Sequence, residues 1–292
     1  MNRIVQWLPT NVDRRLIVLG WVYLAAQIFL VGTGGLVRLT SSGLGCPTWP
    51  KCTADSLVNT PEMGIHGVIE FGNRLLGVLL GLVAIVAFVA VLRMRRSRPD
   101  LFRLTLLAGL GIPAQAVIGG ISVWTHLNPF VVAFHLMVSM VLIGLSTWLV
   151  RRSRGLRQQP AGGLGVLAAR STLVLMGLTV WLGTVVTGSG PHAGDLDAVR
   201  TGFDGAFVTH LHAVAVYATV ATTVVALAAL RSRAALLVLA VLVLQAAIGI
   251  AQYNLGLPIG LVLLHLLGAS LAVAAATNLF LTVRRGTLAV VG

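Results

Sequence analysis

Residues 115–136 read QAVIGGISVWTHLNPFVVAFHL, and residues 245–266 read QAAIGIAQYNLGLPIGLVLLHL. The two stretches align without a gap at an offset of 130 residues, with 8 identities in 22. Each is an apolar run, a short turn marked by Pro129 or Pro258, and a second apolar run. Shared Leu and Val mean little in apolar segments. The shared Gln and Gly, and the pairing of His135 with His265, mean more. A fainter echo sets Gly32-Thr33 against Gly183-Thr184. The chain therefore reads as one helical unit used twice in the same direction, a parallel repeat about an axis along a membrane normal.

Composition agrees with that reading. Of 292 residues, 57% are hydrophobic and only 10% charged, outside the range of soluble domains. Apolar runs of about 20 residues, each able to cross a hydrocarbon core of about 30 Å, recur along the length. The expected spans are 15–37, 66–92, 101–121, 130–150, 166–187, 206–230, 234–252 and 259–282. The fold class is all-α: a polytopic membrane protein whose eight transmembrane helices form two pseudo-symmetric four-helix bundles, in halves 1–157 and 158–292. The run after Arg14-Arg15 is too long for a signal-peptide core and is expected to be the first span.

The net charge of +13 would suggest nucleic acid in a soluble protein, but here it follows topology. Of the 21 basic residues, 17 fall on one side of the expected spans, among them Arg3, Arg14, Arg15, the cluster from Arg93 to Arg103 and the cluster from Arg151 to Arg157. The excess of basic residues marks the cytoplasmic side, so both termini are expected there, and no nucleic-acid partner is expected. Two long loops, near 38–65 and 188–205, then lie on the outer side.

Three histidines share a depth on that side. His135 and His265 lie about five residues into the fourth and eighth spans, and His212 about six residues into the sixth. Imidazole is a common axial ligand of haem iron, and a four-helix unit can hold a cofactor between facing helices. The alternative is an interhelical hydrogen bond. Matching the second span to the sixth sets Asn73 against His212, so the first half lacks the histidine that would complete a pair with His135. His66, two turns earlier, lies on roughly the same face but about 10 Å nearer the surface. Glu70 is the only carboxylate inside an expected span. It shares a face with Asn73, and a membrane-buried acid marks a candidate functional site. Acid–base work at a bound cofactor and a structural ion pair with Arg74 both remain open for it. Cys46 and Cys52, in GCPTWPKC, are the only cysteines. On an oxidising face they can form a disulfide, as a staple or as a redox-active pair.

Taken together, GLVRLTSSGLGCPTWPKC after the first span, IEFGNR in the second, and the histidines in spans four, six and eight resemble the haem A synthase family in its bacterial form. The resemblance covers nearly the whole chain. It implies oxidation of the C8 methyl of haem O to a formyl group by successive hydroxylations, giving haem A for cytochrome oxidase. It also implies a haem B cofactor held by His212 and His265 in the second half. In the first half it implies a haem O substrate site with His135 as iron ligand and Glu70 as catalytic carboxylate. The cysteine pair matches members with an outer-loop disulfide. The usual histidine of the second span is Asn73 here. Haem O synthase, an electron acceptor or donor, and a second copy of the chain are the partners to consider, with a multi-pass location in a bacterial cell membrane. The competing expectation is a di-haem b-type membrane electron carrier, which would need symmetrical histidine pairs and no buried acid.

Overall fold

The structure, a computed structural model, describes residues 8–286. Arg3, counted above among the inner-side basic residues, lies outside them, as do the terminal residues assigned to the cytoplasm. Eight helices are long and apolar enough to span a membrane: α1 (Arg14–Leu39), α2 (Gly64–Val91), α3 (Pro99–Trp124), α4 (Pro129–Ser153), α5 (Gly163–Ser189), α6 (Gly205–Leu230), α7 (Arg233–Asn254) and α8 (Ile259–Phe280). The chain is a multi-pass membrane protein of the expected class. One small sheet accompanies the helices, β1 (Gln159–Ala161) paired in parallel with β2 (Val283–Arg285). In hydrocarbon each backbone donor and acceptor must be satisfied within its own segment, and the α-helix does this.

The helices begin where the sequence supplies partners for the orphan N–H groups of a first turn. The carboxylate of Asp13 accepts from Leu16 N at 3.0 Å, Asn128 Oδ1 from Phe130 N at 3.0 Å, Asp204 from Phe207 N at 2.7 Å, and Ser232 Oγ from Ala235 N at 3.2 Å. Pro99 and Pro129 occupy first-turn positions, where the missing N–H costs nothing. Most helices run one to three residues beyond the expected spans because these capping turns are polar. Asp100 lies in the first turn of α3, where it pairs with Arg98 at 3.0 Å and Arg152 at 3.8 Å.

The chain divides into two compact units, one ending at Arg154 but also taking in Thr187–Gly202, the other holding Gly155–Val186 and the chain from Phe203 onward. In the first unit α1 and α3 each pack against both α2 and α4. This four-membered ring sets α2 and α4 facing each other across the interior. Its core joins Leu16 and Tyr23 of α1, Leu80, Ala84 and Val91 of α2, Leu101, Leu104 and Ala108 of α3, and Leu149 of α4. These residues belong to the first turns of α1 and α3 and the last turns of α2 and α4, so the dense packing lies in the half of the bundle away from the long loops. In the second unit α7 packs against α6 and α8. There the α5 hydroxyls of Thr179 and Thr172 meet Thr219 and Thr222 of α6 at 2.9 and 3.2 Å.

Tyr23, 1% exposed, donates its hydroxyl to the carbonyl of Ala108 at 2.9 Å, tying α1 to α3. Tyr23→Phe is expected to cost about 1 kcal/mol, seen as a lower melting temperature in detergent. Tyr217→Phe, at an exposed position, should leave the melting temperature unchanged.

Candidate functional site

The three sequence-predicted histidines share one local arrangement. Each projects from the second helix of a hairpin onto a glycine of the first. A Cβ at Gly119 of α3 would lie 3.0 Å from His135 Cε1, one at Gly183 of α5 would lie 3.2 Å from His212 Cε1, and one at Gly249 of α7 would lie 3.3 Å from His265 Cε1. Each imidazole thus rests on a helix surface cleared by a missing side chain. His212 shows what the seat does to the ring. Its Nδ1 lies 3.0 Å from the carbonyl oxygen of Thr179, one turn before Gly183. A carbonyl can only accept, so the proton sits on Nδ1 and the lone pair of a neutral ring is on Nε2. That is the atom a metal takes when a backbone carbonyl fixes the tautomer. His265 Nδ1 faces the corresponding carbonyl of Gln245, outside ideal hydrogen-bond geometry. His212 and His265, both in the second unit, lie within electrostatic reach of each other.

Glutamines fix the approach of the hairpin helices. Gln115 Nε2 donates to the carbonyl of His135 at 3.1 Å and to Ser139 Oγ. Gln245 lies against Gly268 so closely that any side chain there would collide with it. These glutamines are the ones the repeat shares. Their contacts with the histidine-bearing helices were not anticipated, although their recurrence beside Gly119 and Gly249 was the available signal.

The remaining position departs from the pattern. Asn73 Oδ1 accepts from Thr33 Oγ1 at 2.8 Å. Thr33 matches Thr184 of the Gly183-Thr184 pair, so Asn73 stands on α1 where His212 stands on α5. Thr33 is six residues, about 9 Å, from the outer end of α1, and Gly119 is five residues, about 8 Å, from that of α3. Asn73 and His135 therefore sit at one depth on facing helices. His66 is engaged elsewhere, with Nδ1 2.9 Å from Ser42 Oγ.

Glu70 is buried at 6% exposure and tied to the first outer loop. Its Oε2 accepts from Cys46 N at 2.6 Å, and its Oε1 from Arg74 Nε at 3.1 Å. The Arg74 fork continues to three loop carbonyls, Thr48 and Cys46 at 3.0 Å and Lys51 at 3.2 Å. Five donors in a rigid plane suit such a task, which a lysine could not do. The ion pair read as an alternative for Glu70 is thus present. It clamps the loop to α2. Cys46 and Cys52, both fully buried, are joined by a disulfide. Gly45 lies against the His66 backbone with no room for a side chain, and the Trp49 indole covers Gly120 of α3 and meets Trp124 edge-on at 5.3 Å. The loop is a fitted cap on the first unit.

The second long loop joins that cap. Arg38, in the last turn of α1, donates to the carbonyls of His192 at 2.6 Å and Thr187 at 2.9 Å. Gly43 N donates to Gly194 O at 2.8 Å. Leu127, Ala193 and Ala198 bury one another beneath. His126 lies in the α3–α4 turn with φ 48°. Among the described residues no three His, Cys, Asp or Glu side chains gather as a metal cage.

The sequence profile of the COX15-CtaA family, described as cytochrome oxidase assembly protein, matches residues 17–194. Similar individual proteins include the haem A synthase of Azorhizobium caulinodans, 26% identical over 88% of this chain and 91% of that one. The haem A synthase of Geobacillus thermodenitrificans is 30% identical over 47% of this chain and 42% of its own length. That of Methylorubrum populi is 31% identical over 62% and 57%. Against the last two the chain thus spans about half the length of the relative.

Arg74→Gln would leave Glu70 buried without its counter-charge, a change that costs about 3–5 kcal/mol. It should lower the melting temperature in detergent and speed protease cleavage in the 46–58 loop. The double variant Glu70→Leu with Arg74→Leu should recover part of the melting temperature, since two apolar side chains leave no unpaired charge.

Proposed function

This chain belongs to the family of cytochrome oxidase assembly proteins, and on that premise we propose that it is a haem A synthase, oxidising the C8 methyl group of haem O to a formyl group. The relatives reported above are named haem A synthase. The observation that carries the reading is the seat of each histidine on a helix glycine, with His212 oriented by a backbone carbonyl.

The residues present fit a haem. Two seated histidines, His212 and His265, belong to the second unit, and these would hold haem B. Haem B bound there supplies one-electron redox chemistry. His135 would hold the substrate haem O in the first unit, in the outer half of the bundle, away from the leucine core. The methyl carbon must lose four electrons and gain one oxygen atom to become a formyl carbon: by way of an alcohol and a gem-diol that sheds water, one water is consumed overall, four protons are released, and four electrons pass to an external electron acceptor. A base close to that carbon is needed for the protons released. Glu70 fills that role in this reading, on the same helix face as Asn73 and with Arg74 fixing its position. The cap formed by the disulfide loop limits water on the outer side. Location in the bacterial cell membrane with cytoplasmic termini belongs to the same proposal.

The direct test is expression beside a haem O source, followed by chromatography of the extracted haems. Haem A should appear with the wild-type chain, and Glu70→Gln should reduce it at least tenfold with the haem content retained. Recovery of haem B and unmodified haem O alone would overturn the assignment. His265→Met should perturb the low-spin spectrum of the second-unit haem, whereas His126→Ala should leave it intact.

A further inference from the structure

We infer that the haem of the first unit is bound by the protein on one face only, through His135, and that its other face is open and bordered by the amide of Asn73. The inference rests on the haem-binding reading above and deepens it.

The argument starts from the repeat. Three of the four hairpins present an imidazole over a glycine. The fourth, α1–α2, presents Asn73 at the equivalent place, hydrogen-bonded to Thr33. In the second unit both facing positions, on α6 and α8, carry histidine. In the first, α4 carries His135 and α2 carries Asn73 at the same depth. A carboxamide is a weak donor to haem iron, whose protein ligands are imidazole, thiolate, thioether or phenolate. Its oxygen is also committed to the Thr33 hydroxyl at 2.8 Å. The neighbouring nitrogen ligand on α2, His66, cannot substitute. It lies seven residues away, about 10 Å along the helix, and its Nδ1 is paired with Ser42. Glu70 is one turn away, with both oxygens engaged by Cys46 N and Arg74. No other His or Cys of the first unit is available at this depth: Cys46 and Cys52 are bonded to each other, and His126 and His192 lie in the outer turns and loop.

An amide can do what an imidazole ligand cannot. With one end held by Thr33, it keeps hydrogen-bonding capacity for a small polar molecule on the open face. Asn73 is therefore a positioning residue, and the asymmetry between the units is chemical: one site with both faces filled, the other with one face accessible to a diatomic gas or water.

Carbon monoxide distinguishes these arrangements, because it adds to a reduced haem that has a free axial position and is excluded where two imidazoles hold the iron. The detergent-purified full-length chain, carrying haem in both units by extracted-haem analysis, would be reduced and exposed to carbon monoxide. One of the two haems should give a carbon monoxide spectrum. Asn73→His should abolish it and shift that haem to a low-spin spectrum, while Asn73→Ala should keep it. His135→Ala should remove the carbon monoxide-reactive haem itself, leaving the second-unit haem in place. Two bound haems with neither reacting would overturn this inference and leave the haem-binding reading standing. A chain supplied with haem O that still binds one haem only, unaffected by His135→Ala, would overturn both this inference and the first-unit haem site, and a chain that binds no haem would overturn the whole haem-binding reading.

Discussion

Helices in lipid gain little by hiding apolar side chains from one another, since the surrounding tails are equally apolar. They associate where small residues let their backbones come close. The histidine seats depend on that constraint. Gly119, Gly183 and Gly249 each clear just enough helix surface for an imidazole to lie against the backbone. The ring then has one rotational freedom removed by contact and, at His212, the proton position set by Thr179. Orientation that a soluble protein achieves with a carboxylate is here achieved by a missing Cβ and a main-chain carbonyl, with no charge taken into hydrocarbon.

The one charge pair that is buried near the site carries a different duty. Glu70 and Arg74 could satisfy each other on the surface of α2 and do nothing more. Instead the guanidinium spreads over the carbonyls of Cys46, Thr48 and Lys51 while the carboxylate receives the Cys46 N–H. An irregular loop brings many unpaired backbone groups to a membrane surface. This pair answers four of them at once, the N–H and carbonyl of Cys46 and the carbonyls of Thr48 and Lys51. The acid read from sequence as a candidate for chemistry is therefore also the anchor of the loop above it, and any movement of one is felt by the other.

The fold was legible in the sequence because its signal is length: eight apolar runs, charges sorted by side, and prolines or capping residues at the turns. The outline of the site was legible for a related reason. A repeat lets one half comment on the other, and the shared Gly119 and Gly249 proved to lie against His135 and His265, with Gln115 bonded to the His135 carbonyl. What stayed hidden were contacts without periodicity. Nothing in the spacing of Arg74 announces three loop carbonyls. Trp49 and Gly120 are joined only by the fold, as are Arg38 and the carbonyls of Thr187 and His192.

The loop between α5 and α6 has the longest consequence. A doubled chain would be expected to separate into two self-sufficient products of an ancestral copy, cut between α4 and α5. Thr187–Gly202 denies that. Arg38 would lose both its acceptors, Gly43 its partner in Gly194, and Leu127 the alanines that cover it. The second half of the chain thus supplies a segment that completes the first unit. Shuffling of halves between relatives would have to carry this loop with the half it serves and not with the half that encodes it.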